Sequence, residues 1–426
     1  MTSLPAARPF FGWRVVAATF LLAVFGWGVG FYGPPVYLHA VVARTGWPVT
    51  LVSTAVTVHF LFGALVVANL PRLHRAFGVP RVTVLGAALL AAGVAGWAVA
   101  AEPWQLFAAA LASGGGWVAL GAAAVNAIVA PWFVRNRPAA LGMAYNGASV
   151  GGILFSPLWV ALIGGLGFPA ASVAVGLAMT LVVGLLSALV FAKTPESLGQ
   201  QPDGDRPGKV DARPTPRHAE PLAGGGPWRD RRFITLAAAM ALGLFAQIGL
   251  LAHLFSLLVP ALGEGGAGLT MAAATLAAIA GRSLVGWLMP VSADRRLVAC
   301  ASLGVQVLGS LILAVAAMTV DGGAGLLAGI LLFGLGIGNA TSLPPLIAQA
   351  EFRADDAARV VPLIVAIGQA AYAFAPAAFG LLRAGPGAEP QAGLPLFLAA
   401  ALVQAAAIAA FLWGRRSRRP AVGDNI

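Results

Sequence analysis

Long apolar stretches recur along nearly the whole chain, separated by short polar or charged segments. A helix of about 20 mostly apolar residues can cross the hydrocarbon core of a bilayer. The pattern therefore predicts an all-α membrane protein with twelve transmembrane helices. The predicted spans cover about 13–38, 48–70, 80–101, 104–131, 138–165, 169–192, 232–261, 267–290, 297–319, 322–350, 357–383 and 393–414.

Residues 193–231 interrupt this pattern, because they are rich in Pro, Gly and charged side chains. Such a composition cannot bury enough apolar surface to form a core. The segment is predicted to be a cytoplasmic linker. It separates an N-terminal half, 1–192, from a C-terminal half, 232–426, with six spans in each.

The basic residues lie mostly on one side of the predicted membrane. With the N-terminus in the cytoplasm, 23 of the 26 Lys and Arg residues fall on that side, Arg44 and Arg383 fall outside, and Arg282 lies within a span. Because Lys and Arg are enriched in cytoplasmic loops, both termini are predicted to be cytoplasmic and the protein to lie in the inner (plasma) membrane. This bias explains the net charge of +11 without nucleic acid as a partner.

The composition excludes several other classes. Charged residues make up 10% of the chain and hydrophobic residues 59%, whereas ordinary soluble domains carry about 25% charged residues. Cys300 is the only cysteine, which rules out an intrachain disulfide and a cysteine-built metal site. No HExxH motif, paired carboxylates or nucleophile–base set is visible. Neither an enzyme, a cofactor nor a metal is therefore predicted.

Arg282 is a full charge near the middle of a predicted span, whereas every acidic residue lies in a loop, a tail or at a span end. An arginine at that depth costs roughly 2.5–3.5 kcal/mol on insertion scales. Its fork-shaped guanidinium can hold a carboxylate by two parallel hydrogen bonds. We therefore predict that Arg282 contacts a carboxylate substrate. The alternative is a structural arginine that caps carbonyl groups or fixes helix packing.

The two halves contain a weak internal repeat. Each half has a basic residue, a glycine four positions later and then a basic turn. In the first half these are His59, Gly63, and Arg72 with Arg75. In the second half they are Arg282, Gly286, and Arg295 with Arg296. His59 is thus the repeat mate of Arg282. It is predicted to contact the substrate or to carry a proton, and the alternative is a buried histidine bonded to backbone. His253 is a second candidate for substrate contact or proton relay, with packing as its alternative.

Four stretches resemble a known family, the major facilitator superfamily, and within it the monocarboxylate and oxalate/formate transporter branch. They are Gly46-Trp47-Pro48, Phe77 to Val82, Trp132 to Gly142 with Asn146 to Gly152, and Gly281-Arg282 with Gly286-Trp287. The resemblance implies two six-helix bundles related by a pseudo-twofold axis. It also implies alternating-access transport of a small organic anion, and we expect the protein to act as a monomer.

The resemblance also implies roles for two groups of residues. Spans five and eleven line the cavity in this superfamily, which adds four candidate substrate contacts: Tyr145, Asn146, Gln369 and Tyr372. Intramembrane polar groups often only join helices, at about 0.6 kcal/mol each. Residues at the cytoplasmic face would latch the two halves, unless they reflect charge bias alone: Arg72, Arg75, Arg81, Arg135, Arg137, Asp294, Arg295 and Arg296.

This sequence departs from the branch pattern at several positions. Ala278 stands where monocarboxylate transporters usually have an Asp, span eleven lacks the Lys of oxalate carriers, and the first span has only Arg14 at its edge. One buried arginine matches one carboxylate, so the sequence favours a monocarboxylate transporter. The rival is an exporter of drugs or hydrophobic compounds. Proton-coupled exporters of this kind generally have an Asp or Glu within the membrane, and this sequence has none deep in a span. Two coupling hypotheses remain: transport of the substrate together with a proton carried by His59, or exchange of the substrate for a counter-anion.

Overall fold

A computed structural model describes residues 9–204, 226–290, 293–319, 323–383 and 393–415. The first part of the chain folds into eight α-helices, which account for the first six predicted spans. They are α1 (Gly12–Gly30), α2 (Gly33–Thr45), α3 (Val49–Phe77), α4 (Val79–Val99), α5 (Pro103–Trp117), α6 (Ala122–Val129), α7 (Arg137–Leu166) and α8 (Phe168–Leu186).

Seven further helices account for the last six predicted spans. They are α9 (Arg231–Leu288), α10 (Arg295–Ala316), α11 (Gly323–Ile337), α12 (Leu343–Glu351), α13 (Ala354–Ala373), α14 (Ala375–Leu381) and α15 (Leu394–Trp413). Helix α9 contains two spans, because Gly263 has non-helical backbone angles (φ 66°, ψ 169°) that divide it. The predicted all-α membrane fold is confirmed.

Within the described residues, ten helical segments are long and apolar enough to cross a membrane, and α11 is a shorter apolar helix. Four predicted spans are each built from two helices joined by a break: α1 and α2, α5 and α6, α11 and α12, and α13 and α14. The first break has a clear cause in the sequence. Pro34 lacks the N–H group that would otherwise bond the carbonyl of Gly30, so α1 ends there.

The chain forms two compact units. The first contains Met1–Arg213, Leu251–Leu276 and Pro376–Ala392. In it, α1 lies against α7 at close range, because a side chain at Gly147 or Gly151 would strike the backbone of α1. Trp159 of α7 is fully buried and donates its indole N–H to the carbonyl of Gly28 at 3.2 Å.

The second unit contains Pro214–Leu250, Ala277–Ala375 and Gly393–Ile426. Helix α10 contacts both α11 and α15. Gly309 of α10 leaves room for the backbone of α11, and Ser310 donates a hydrogen bond to Gln404 of α15 at 3.1 Å. A buried apolar cluster joins the start of α9 to α10, α12, α13 and α15, with Phe233, Phe352 and Phe411 among its members.

The start of the predicted linker is folded against the first unit. Gln200 accepts a hydrogen bond from the N–H of Phe11 at 2.9 Å and donates to the carbonyl of Pro9 at 3.2 Å. Asp203 reaches the turn before α7, where its carboxylate accepts from the backbone N–H groups of residues 134, 135 and 136 at 2.9, 2.7 and 3.0 Å. Composition alone did not predict this docking.

Asp203 caps α7 from another part of the chain. The N-cap residue of α7, Asn136, makes no side-chain cap bond of its own. Partial burial of Asp203 acts to raise its pKa, but the three backbone N–H bonds outweigh this effect and lower the pKa below its usual value. A lowered pKa means that the stabilisation is present above the unfolded-state pKa and is lost as the pH falls through the folded-state pKa.

We expect Asp203→Asn to loosen this turn, because a neutral amide is a weaker acceptor for three N–H groups than a carboxylate. Backbone N–H groups 134–136 should exchange with deuterium at least about threefold faster, as expected for the loss of hydrogen bonds of ordinary strength. Glu196→Gln is the control, because Glu196 is an exposed carboxylate of the same segment. Equal exchange in the two variants would contradict the capping role of Asp203.

Candidate functional site

Helices α9 and α11 approach closely where α11 ends. A side chain at Gly281 would strike the backbone of Leu335, and one at Gly338 would strike the backbone of Ala278. Only glycine fits at both contact points. The close approach brings the backbone of the break between α11 and α12 within reach of side chains on α9.

Arg282 projects from α9 at this crossing. Its Nε–H donates to the carbonyl of Gly338 at 2.8 Å, and Asn339 donates in return to the carbonyl of Gly281 at 3.3 Å. The guanidinium group has five N–H donors, and one of them bonds a group within the described residues. The residue is exposed, and no acidic side chain pairs with it in the part of the chain that the structure describes.

This geometry combines the two interpretations of Arg282. The Nε–H group caps a carbonyl at a helix break, which is the structural role. The two Nη groups are left without a protein partner among the described residues, and they form the edge of the guanidinium that binds a carboxylate in the bidentate mode. The bond to Gly338 also fixes the direction in which that edge points.

A cavity in the same unit differs in chemistry from the site at Arg282. A small cavity lies between α9, α10, the break after α11, and α15. Gln306, Ser302 and Asn339 are the polar residues that line it, and the remaining lining residues are apolar or glycine. With no charged side chain in its wall, this cavity does not suit an anion.

His59 occupies a packed position in the first unit, with 2% of its surface exposed. Its Nε2–H donates to the carbonyl of Gly30 at 3.0 Å, and Nδ1 lies 2.9 Å from the hydroxyl of Ser113. The ring also stacks on Trp117. Because a carbonyl can only accept, Gly30 requires the proton on Nε2. This placement agrees with the structural alternative for His59.

His253 is completely buried in the first unit. Its Nε2–H donates to the carbonyl of Pro376 at 2.9 Å, whereas Nδ1 has no partner among the described residues. Like His59, it bonds backbone beside a broken span. Its predicted contact with substrate stays a prediction.

The other predicted substrate contacts lie in different surroundings. The hydroxyl of Tyr145 donates to the carbonyl of Ala122 at 3.0 Å and accepts from Asn126 at 2.6 Å. Asn146, the next residue on α7, is exposed. In the second unit, Gln369 is half-buried and Tyr372 packs against the apolar cluster. The first unit therefore presents a polar group at the α6–α7 contact.

The predicted latch residues of the second unit bond within that unit. Arg296 is 2% exposed and forms a bidentate pair with Glu351 at 2.6 and 2.9 Å, and it also donates to the hydroxyl of Thr235 at 3.1 Å. Asp294 caps α10 and accepts from Arg415 at 2.8 Å. Arg295 donates to the carbonyl of Leu346 at 2.7 Å.

Among the predicted latch residues of the first unit, Arg72 and Arg137 bond to nearby groups of the chain. Arg72 donates to Asn69 at 3.1 Å, one turn away on the same helix. Arg137 donates to the carbonyls of Phe133 and Ala130 at 2.8 and 3.0 Å, so it fixes the turn before α7. The remaining members, Arg75, Arg81 and Arg135, are exposed. A latching role stays a prediction for all eight residues.

Sequence reasoning missed two hydroxyl groups that bond with the candidate histidines or their partners. The hydroxyl of Ser113 bonds His59. The hydroxyl of Thr57 accepts from the N–H of Ala377, and His253 bonds the carbonyl of the preceding residue, Pro376. Ser and Thr inside helices commonly bond their own backbone, as Thr54 does here. The residue type alone therefore carries no signal for a contact between helices.

The described helices, with polar groups at their breaks, form a polytopic helical membrane protein. The sequence model of one family, the Major Facilitator Superfamily, matches residues 10–376. The chain belongs to this superfamily. The finer monocarboxylate branch stays a prediction, and no curated protein matches the sequence.

Solved structures share the fold at low sequence identity. A bacterial homolog of the human lysosomal transporter Spinster, in an inward-facing and occupied conformation, is 16% identical with a TM-score of 0.69, covering 97% of this chain and all of its own. The nucleoside transporter NupG is 13% identical with a TM-score of 0.70, covering 94% of this chain and 98% of its own. Identities this low show the fold alone.

We expect His59→Leu to lower the thermal stability, because it leaves the buried carbonyl of Gly30 without its side-chain donor, at a cost of about 1–3 kcal/mol. His59→Gln should recover much of the loss, since its amide N–H can reach the same carbonyl. His74→Leu is the matched control, because Nε2 of His74 on the same helix has no partner among the described residues. Equal melting temperatures for His59→Leu and His74→Leu would show that the bond to Gly30 is unimportant.

Proposed function

We propose that this protein is a secondary active transporter that moves a small organic anion, of the monocarboxylate class, across the inner membrane by alternating access. The termini and the linker lie in the cytoplasm, as the distribution of basic residues indicates. The protein works as a monomer. The observation that carries the substrate class is the position and hydrogen bonding of Arg282.

Three features of Arg282 support a carboxylate ligand. A charge within a span is costly unless it meets water, an acid or an anion. No acidic partner is present among the described residues, and the one bond to Gly338 leaves the Nη edge available. A single guanidinium edge matches the two oxygens of one carboxylate. Carriers of dianions add a Lys in span eleven, and neither α13 nor α14 contains a lysine.

Polar groups of the first unit are the proposed further contacts. Tyr145, Asn126 and Asn146 lie on or beside α7, and the rings of Trp27 and Tyr145 meet edge to face at 6.1 Å. Gln369 and Tyr372 have the same proposed role in the second unit.

The coupling mechanism involves either a proton or a counter-anion. Proton coupling through His59 requires a proton donor to reach a ring that is 2% exposed and bonded at both nitrogens. Anion exchange needs no titrating side chain. One of the two exchanged anions would neutralise the charge of Arg282 each time the protein changes conformation. The packing of His59 therefore favours exchange over proton symport through this residue.

The alternative function is export of drugs or other hydrophobic compounds within the same superfamily. The nucleoside transporter among the structural neighbours illustrates that one fold serves different substrates. An exporter of cations would be expected to carry an acid within its spans. Binding of a lactate-like acid and of a cationic dye to the purified protein distinguishes the two functions.

We expect Arg282→Lys to weaken binding of a lactate-like monocarboxylate by at least about tenfold, because Lys cannot bond Gly338 and two carboxylate oxygens together. Arg231→Lys is the matched control, since Arg231 is also an exposed arginine that donates to a backbone carbonyl, that of Trp413 at 2.6 Å. The ligand-free melting temperature of each variant reports any structural loss separately.

Two results would contradict the proposed substrate class. One is equal affinity for the acid in Arg282→Lys and Arg231→Lys. The other is binding of the cationic dye by a protein that shows no affinity for any of a panel of monocarboxylates.

A further inference from the structure

One peptide group near the start of α14 is held from both sides. The carbonyl of Pro376 accepts from Nε2 of His253 at 2.9 Å, and the N–H of Ala377 donates to the hydroxyl of Thr57 at 2.9 Å. These two backbone groups belong to the same peptide unit. Thr57 lies on α3 and His253 on α9, so three helices that are distant in sequence meet at one point.

The break between α13 and α14 makes this contact necessary. Ala377 is the third residue of α14, and the first N–H groups of a helix have no carbonyl partner within it. Thr57 is 5% exposed and His253 is fully buried, so little water reaches the peptide. A buried peptide group without partners is strongly unfavourable. The two side chains thus supply what the broken helix cannot.

Other contacts surround the clamped peptide. A side chain at Gly380 would strike the hydroxyl of Ser53 on α3, which shows how closely α14 lies on that helix. Ser256 donates to the carbonyl of His253 at 2.9 Å and accepts from Arg383 at 2.6 Å. All of these residues belong to the first compact unit.

A weaker ionic contact lies at the exposed edge of the same region. Nε2 of His39, on α2, is 3.5 Å from a carboxylate oxygen of Glu264, which follows the break at Gly263. The side chain of Glu264 is 54% exposed, so solvent screens this pair. The buried peptide clamp is therefore the stronger link between the same groups of helices.

We propose that Thr57, His253 and the peptide between Pro376 and Ala377 form the lock that keeps one end of the transport path closed. We name this end, which carries His39, Ser53 and Arg383, the distal end. The clamp joins α3 of the first six spans to α9 and α14 of the last six. Any movement that opens the distal end between the two sets of spans must break both hydrogen bonds.

The lock does not depend on which substrate is carried. It concerns the distal end of the first unit, whereas the proposed carboxylate contact is Arg282 in the second unit. Removing one bond, or separating α14 from α3, should raise the fraction of molecules with the distal end open. Each change can be made without touching Arg282.

The test uses a cysteine that reports on a neighbouring contact. Val160 on α7 is covered by Gly268 of α9, where an added methyl group would lie 3.0 Å from Cγ2 of Val160. In a Cys300→Ser background, Val160→Cys is labelled with a hydrophilic maleimide on the full-length protein in nanodiscs. The reporter lies outside the clamp, so its reactivity measures separation of the helices.

Two variants weaken the lock by different means, and each has a matched control. Thr57→Val removes the hydroxyl acceptor, whereas Thr54→Val removes a hydroxyl that bonds only its own helix, at the carbonyl of Thr50. Gly380→Ala inserts a methyl group against Ser53, whereas Gly265→Ala adds one where no atom lies within 4 Å.

We expect Thr57→Val and Gly380→Ala to label about three- to tenfold faster than their controls, the range that one ordinary hydrogen bond supplies. His253→Gln, which keeps an N–H donor at a similar reach, should label more slowly than His253→Leu. Labelling of Thr57→Val and Gly380→Ala at the rates of their controls would overturn the lock. Loss of carboxylate binding in any other experiment would leave this result unaffected.

Discussion

The structure depends on one constraint, which is that a backbone group inside a membrane must find a hydrogen-bond partner within the protein. Four of the twelve spans are broken, and each break presents peptide groups that its own helix does not satisfy. Side chains from other helices bond these groups or their neighbours: His59 at Gly30, Tyr145 at Ala122, Arg282 at Gly338, and Thr57 with His253 at residues 376–377. The breaks thus determine where polar side chains occur within the apolar spans.

This constraint explains why polar residues within the spans are ambiguous as functional signals. A histidine that caps a carbonyl has used the donor that would bind a substrate. Arg282 differs because the guanidinium has more donors than the break requires. Its surplus donors, together with its exposure, are the physical basis for placing the carboxylate there and not at His59.

Much of the fold could be predicted from the sequence, because span length and apolar content are local properties. The predicted ends of 138–165 lie one residue from the ends of α7, Arg137–Leu166. The breaks were not predicted, although Pro34 and Pro35 gave a local signal for the first. The docking of Asp203 under α7 and the contact of Thr57 with α14 join residues far apart in the chain. Composition and periodicity carry no information about such pairs.

The most direct test of the account is to locate a bound carboxylate. A structure of the protein with a bromine-substituted monocarboxylate would show the bromine by its anomalous signal and the carboxylate by its density. If Arg282 binds the carboxylate, two carboxylate oxygens should lie about 3 Å from its Nη atoms, with Nε still bonded to Gly338. A carboxylate bound elsewhere, or an acidic side chain occupying the Nη edge of Arg282, would contradict it.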